Sequence, residues 1–426
     1  MKLRALLPFI LSLSLTVSSV QAQSYKQNVF SVTLHSNYLG YDKKINIYVP
    51  GAPFVNYNPQ QDQKFNVVYL LDGSIGSKLF DLVVSNFAYI NMDLYHNYPP
   101  FIVVGIHSDS HRSEEFTPET TDPKTLQRQT FSKFGHGKAG AYLNFLEKEL
   151  FPYIRKHYNV SGHRVGIGHS LGGTLMMYAL DTNKDLFNAY FLFSPNLQYG
   201  SRQLIKAFEQ KFPKHAEINR FLYVSVGDIG YENYFKPGIE ELDSLVRANH
   251  YVDFPFVYDS LQNCDHLFSP QRSLPLALEA YQKLYLPPTK AQREQFAKSN
   301  EGFLNKIKDF YKEKESLLGY DYLPGIDIIN NEFVDFLMEQ NQAEQALKVV
   351  NWGIRLYPDN FFSYSLYLRK ADVLEKKGAL NGAISACENG FTILNETKSK
   401  MNYGDYVYAR NLLKKRLDEL RKKAGE

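Results

Sequence analysis

The chain has 426 residues, with 48 Lys+Arg against 45 Asp+Glu, a formal charge of +3, 44% hydrophobic residues and two cysteines. So near a balance of charge excludes recruitment of nucleic acid or an anionic bilayer by bulk electrostatics, and two cysteines exclude a disulfide scaffold. The length exceeds one typical hydrophobic core, so a catalytic domain with a smaller companion is expected.

Lys2 and Arg4 precede an apolar run over 5–17 and then Val20-Gln21-Ala22, the pattern of a cleavable signal ending after Ala22. It places the mature chain in the periplasm or outside the cell and lowers its formal charge to +1. Neither this run nor any later one is long enough to span a bilayer. Segments 30–35 and 44–49 alternate around a turn at 37–42 and predict a hairpin, and the polar stretch 50–63 predicts a loop. Phe65–Leu71 is a continuous apolar strand of the buried parallel kind, ending in Asp72-Gly73-Ser74. Phe101–Ile106 is the next. A polar loop with His107, His111, Arg112 and Phe116-Thr117-Pro118 follows it, at the strand end where α/β folds bind ligands. Arg112 is a candidate for holding substrate or for a structural ion pair. The two histidines lack an acidic or cysteine cluster, so no metal is expected.

Residues 139–158 predict an amphipathic helix kinked at Pro152. A strand over 164–167, bounded by Gly162 and Gly168, then leads into Gly168-His169-Ser170-Leu171-Gly172, after which the pattern turns helical. This G-x-S-x-G run between strand and helix is the pattern of a nucleophile elbow. Its glycines avoid collisions at a cramped turn, and the Leu171 N–H faces a developing oxyanion. Strands Ala189–Phe193, closed by Ser194-Pro195, and Phe221–Val226, a helix over 239–248, a strand over 254–258 and a helix over 270–285 complete an alternating α/β pattern. A serine hydroxyl needs a base oriented by a carboxylate, in the chain order Ser, acid, His. His266 alone among eleven histidines follows the last strand, and the acid falls to Glu232, with Asp228 as the alternative. The second oxyanion donor falls to Gly73 or Ser74, and His169, beside the nucleophile, joins Arg112 as a substrate-binding candidate.

The succession L-L-D-G-S (70–74), V-V-G-I followed by Arg112 and T-P (103–118), G-H-S-L-G-G (168–173), S-P-N (194–196) and a late D-H (265–266) resembles the putative esterase family of α/β-hydrolases, which includes esterase D and the ferric enterobactin esterase-like enzymes. The resemblance runs from residue 29 to about 285. It implies an α/β-hydrolase fold with a mostly parallel sheet and hydrolysis of a small-molecule carboxylic ester, with no cofactor. Ser170 attacks, His266 relays the proton, and Leu171 with Gly73 or Ser74 binds the oxyanion. Relative to that family, residues 229–231 are extra ahead of Glu232, which leaves the choice of carboxylate open.

Residues 287–325 predict a linker and a packing helix. From 326 to 426, Asn341, Ala343, Ala346, Leu347 and Gly353 recur 37 positions later as Gly378, Leu380, Ala383, Ile384 and Gly390. That spacing looks like tetratricopeptide-type helical hairpins, with 403–423 as a capping helix, leaning on the hydrolase domain, self-associating or binding a protein partner. An exported esterase acting on a siderophore-type lactone, an acyl ester or a feruloyl ester is the leading expectation. An inactive hydrolase-fold scaffold for the helices, and an acyltransferase using the same three residues, are the alternatives. Cys264 and Cys387 are expected as free buried thiols.

Overall fold

The computed structural model describes residues 28–50, 64–90 and 100–425. The expected signal and nearly all of the expected loop at 50–63 lie outside the described residues. Among the described residues eight strands form one sheet: β1 (Val29–Ser36), β2 (Tyr41–Tyr48), β3 (Phe65–Leu71), β4 (Phe101–Ile106), β5 (Val160–His169), β6 (Ala189–Phe193), β7 (Phe221–Val226) and β8 (Phe256–Ser260), in the order β1-β2-β4-β3-β5-β6-β7-β8. The β1–β2 and β2–β4 pairs are antiparallel and every other pair is parallel. Parallel pairing requires a crossover between strands, and helices supply it. The expected α/β-hydrolase architecture and its helical C-terminal region are both present.

Every residue of β3, β4, β6 and β7 is buried, because helices cover both faces of the sheet. Val67, Tyr69 and Leu71 pack on one side with Leu175 and Met176 of helix Leu171–Thr182 and with Ile239 and Leu242 of helix Glu232–Asn249. Val68 and Leu70 face the other side, with Phe80 and Val84 of helix Lys78–Ile90 and Leu274 and Tyr281 of helix Ser269–Gln282. That second core continues into Phe303, Ile307 and Tyr311 of helix Phe303–Leu318, and then into Ile329, Val349 and Trp352. Residues 303–318 thus pack into the hydrolase core. Helices Ala343–Leu356, Ser363–Lys376, Leu380–Glu396 and Tyr403–Ala424 complete the C-terminal region. Gly353 and Gly390 sit at close approaches there: a Cβ on the first would lie 3.0 Å from Leu366, and on the second 2.7 Å from Leu413. Cys264 and Cys387 are buried and unpaired. No helix among the described residues is long and apolar enough to cross a membrane.

Several elements differ from their sequence expectation for local reasons. The helix over 139–158 carries a π turn, Leu146–Leu150, directly before Pro152. Widening the helix there relieves the proline's missing N–H and ring bulk where a kink was expected. Strand β5 runs from 160 to 169, through both glycines taken as its bounds, because Val160 already pairs with Phe65. Strand β8 starts after Pro255, which has no N–H to offer a ladder, and so lies two residues later than expected. The helix expected at 239–248 begins at Glu232, so the candidate acid occupies a first helical turn instead of a loop.

His163 on β5 joins the sheet to the C-terminal helices. Its Nδ1 bonds the Leu318 carbonyl at 2.6 Å and its Nε2 meets the Tyr281 hydroxyl. Burial pushes its pKa down to about 4. The unfolded chain therefore binds an extra proton between the ordinary histidine range and about pH 4, and stability is full above pH 6.5 and declines as pH falls through that window. The contribution is on the order of 3 kcal/mol. Urea unfolding at pH 7 and pH 4.5 should show a smaller loss for His163→Gln than for the wild type.

Candidate active site

Strand β5 delivers Ser170 to the carboxyl edge of the sheet in a strained backbone geometry, φ 58° and ψ −120°. A non-glycine residue at positive φ persists only where its surroundings fix it. Here the Ser170 N–H donates to the Phe193 carbonyl at 2.9 Å, and the Ser170 carbonyl accepts the Thr174 N–H at 3.1 Å. A Cβ at Gly168 would lie 2.3 Å from the Gly172 backbone, and one at Gly173 would lie 2.8 Å from Pro195. Gly172 itself has ordinary room, 3.4 Å from Leu71, so the crowding expected at the motif's second glycine falls on the next residue. Leu171 opens the helix, where first-turn N–H groups lack intrahelical partners and point toward an incoming anion.

His266 and Glu232 meet directly. His266 Nδ1 lies 2.5 Å from Glu232 Oε1. The Glu232 side chain is fully buried, and its Oε2 accepts the Gly227 N–H at 2.6 Å and the Ser194 hydroxyl at 2.7 Å. Burial alone would raise the pKa of this carboxyl. The bonds from His266, Ser194 and Gly227 outweigh it and hold the group below the ordinary glutamate range. Asp228 goes elsewhere: its Oδ1 accepts the Cys264 N–H at 3.1 Å, while the Asp228 and Ile229 N–H groups donate to the Cys264 carbonyl. It clasps the loop after β7 to the loop after β8. Residues 229–231 form a turn with Gly230 at positive φ.

The His266 ring packs on His169, with centroids 4.4 Å apart, and on Phe235 at 5.2 Å. His169 immediately precedes Ser170, so this contact brings the His266 imidazole to the side of Ser170. The His169 Nε2 is buried without a hydrogen-bond partner among the described residues, and burial, followed by repulsion from His266, pushes its pKa down to about 4. A neutral ring thus backs His266, where sequence reading expected a substrate contact.

Arg112 is engaged in a bidentate pair with Asp72, Nε to Oδ1 at 2.7 Å and Nη2 to Oδ2 at 2.8 Å, the second of its two expected roles. It lies against the Phe116 ring and reaches the His169 carbonyl at 3.5 Å. Its helix, Arg112–Glu115, is tied to β2 by a buried cluster that the sequence did not signal. Lys43 Nζ bonds both Glu115 oxygens, at 2.9 and 3.0 Å, and the Tyr41 hydroxyl donates to the same carboxylate at 2.6 Å. Removing one member of such a buried pair typically costs about 3–5 kcal/mol. Gly73 is a correction. Its N–H donates to the Ile106 carbonyl at 2.9 Å and is not a free oxyanion donor, which leaves Ser74 of the two. The glycine serves a close approach instead, since a Cβ there would fall 2.3 Å from Gly105 Cα. Ser194 is a site residue that sequence reading noticed only as part of a motif.

The chain is similar to several known proteins. Residues 36–219 match the family described as Putative esterase. The ferri-bacillibactin esterase of Bacillus subtilis is 31% identical over 115 residues, a match spanning 25% of this chain and 40% of that enzyme. An IroE-like serine hydrolase from Shewanella oneidensis superposes with a TM-score of 0.59 at 22% identity, over 77% of this chain and 99% of that one. An uncharacterised protein from Capnocytophaga ochracea gives 0.64 at 17% identity, over 92% of this chain and 99% of that one, so its likeness extends through the C-terminal helices. Residues 36–219, less than half of the chain, thus resemble the Putative esterase family, and the two solved structures share the fold.

Proposed function

We propose that the protein is an exported serine esterase that cleaves a carboxylic ester through an acyl-enzyme, with Ser170 as nucleophile, His266 as general base and Glu232 as the carboxylate that orients it. The carrying observation is the buried Glu232 bound to Nδ1 of an imidazole that packs on the residue preceding Ser170. With Nδ1 engaged, Nε2 is the nitrogen left to take the Ser170 proton. Attack on the ester carbonyl then forms a tetrahedral intermediate whose oxyanion meets the Leu171 N–H and a donor near Ser74. Collapse expels the alcohol, which receives the proton from His266. A water molecule, deprotonated by the same imidazole, then releases the acid and restores Ser170. Neutral His169 adds no positive charge beside the imidazolium that forms. The name of the Bacillus relative, a ferri-bacillibactin esterase, makes a siderophore-type lactone a candidate substrate.

Purified protein assayed against p-nitrophenyl butyrate, a feruloyl ester and a siderophore-type trilactone, with fluorophosphonate labelling alongside, tests the reading. Turnover of at least one ester with labelling at Ser170 is expected; a protein that neither hydrolyses nor labels would refute it. For export, the mature protein recovered from the producing cell should begin at Gln23.

A further inference from the structure

The loops that carry the candidate site also carry large apolar side chains in the open. Leu267 and Phe268 directly follow His266 and are 84% and 59% exposed; Tyr231 directly precedes Glu232 and is 76% exposed; Ile75, one residue beyond Ser74, is 57% exposed. Ile229 and Tyr234 are also exposed. Strands β3, β7 and β8 run parallel to β5, so the loops after them emerge at the same carboxyl edge as Ser170.

This presentation is built in. Asp265 Oδ1 accepts both the Leu267 and Phe268 N–H groups at 2.9 Å, and its carbonyl accepts the Ser269 N–H at 3.0 Å, so the turn after His266 is closed and holds both side chains outward. Tyr234 lies under the Arg128 guanidinium, 4.1 Å from the ring centre, and against Phe235, which touches His266. A single exposed leucine needs no account, but grouped apolar side chains around a reactive residue mark a surface that something apolar covers.

Resting on the esterase reading above, we infer that Ile75, Ile229, Tyr231, Tyr234, Leu267 and Phe268 form an apolar rim that receives the non-polar part of the ester and sets its specificity. The substrate class is an ester bearing an aryl group or an alkyl chain of about six or more carbons next to the scissile bond. Small acetyl esters reach Ser170 without touching the rim.

The ratio of kcat/KM for a large apolar ester to that for p-nitrophenyl acetate tests this, because the ratio cancels differences in the amount of active protein. p-Nitrophenyl octanoate and p-nitrophenyl phenylacetate separate alkyl from aryl preference. The wild-type ratio should be about 10 or more for at least one of them, carried mainly by KM. It should fall about ten-fold in a Leu267→Ser/Phe268→Ser variant and about three-fold in Ile75→Ser. A wild-type ratio at or below one for both esters, or a ratio that none of the variants changes, overturns the rim while leaving the esterase reading intact. Failure to turn over acetate or to take up a fluorophosphonate would instead remove the esterase reading, and the rim with it.

Discussion

Replacing Ser170 by alanine lowers kcat/KM for p-nitrophenyl butyrate on the order of 10³-fold or more and abolishes fluorophosphonate labelling. The expected loss is this large because, in the proposed mechanism, the hydroxyl is the atom that forms the acyl bond. The local fold tolerates the change: the Ser170 N–H and carbonyl make the bonds that hold the elbow, and alanine keeps both. Circular dichroism and the thermal midpoint should therefore stay near the wild type while activity disappears. Residual turnover within ten-fold of the wild type would show that the ester is cleaved elsewhere.

Glu232→Gln and Asp228→Asn differ by orders of magnitude. Glu232 accepts from Gly227 and Ser194 through one oxygen and faces His266 Nδ1 with the other. An amide has a single acceptor oxygen, so either the imidazole or the pair of donors on Oε2 is left facing an NH₂ group. With the amide turned toward His266 the ring is held in the wrong tautomer, and a loss on the order of 10³-fold in kcat is expected. Leaving buried donors unsatisfied also destabilises the fold by about 1–3 kcal/mol. In Asp228→Asn the new amide keeps a side-chain oxygen to accept the Cys264 N–H, so this substitution should cost about three-fold or less. The Glu232 carboxyl is held below its ordinary range, so its contribution to stability is complete above about pH 4.5 and disappears as pH falls through the lowered folded value. That part of the acid sensitivity should be missing from Glu232→Gln. Comparable mild losses in both variants would remove Glu232 from its proposed role.

Those two carboxylates mark the limit of reading along the chain. Gly227-Asp228 and Glu232 both follow a buried strand and both precede the last strand, so order and type alone could not separate them. The choice depends on the helix Glu232–Asn249 starting seven residues earlier than its apolar pattern suggests, which turns the Glu232 side chain inward. It depends equally on Cys264, 36 residues away, holding Asp228 by its backbone. Arg112 was similarly ambiguous until Asp72, 40 residues earlier, lay beside it.

Residue order was enough to specify the strand–turn–helix around Ser170, seven of the eight strands to within a few residues, and the location of His266 after the last of them. All of these follow from short-range rules: apolar runs that can only be buried, glycines where a Cβ would collide, and a chain order imposed by a right-handed parallel sheet. Packing in three dimensions was needed to establish that Glu232 meets His266, that Gly73 uses its N–H on Ile106, that His169 backs the imidazole, and that residues 303–318 enter the sheet's second core. Each of these contacts joins residues about thirty or more positions apart. No local preference encodes such a meeting, because it is chosen by which partners can satisfy buried polar groups and fill the core at the same time.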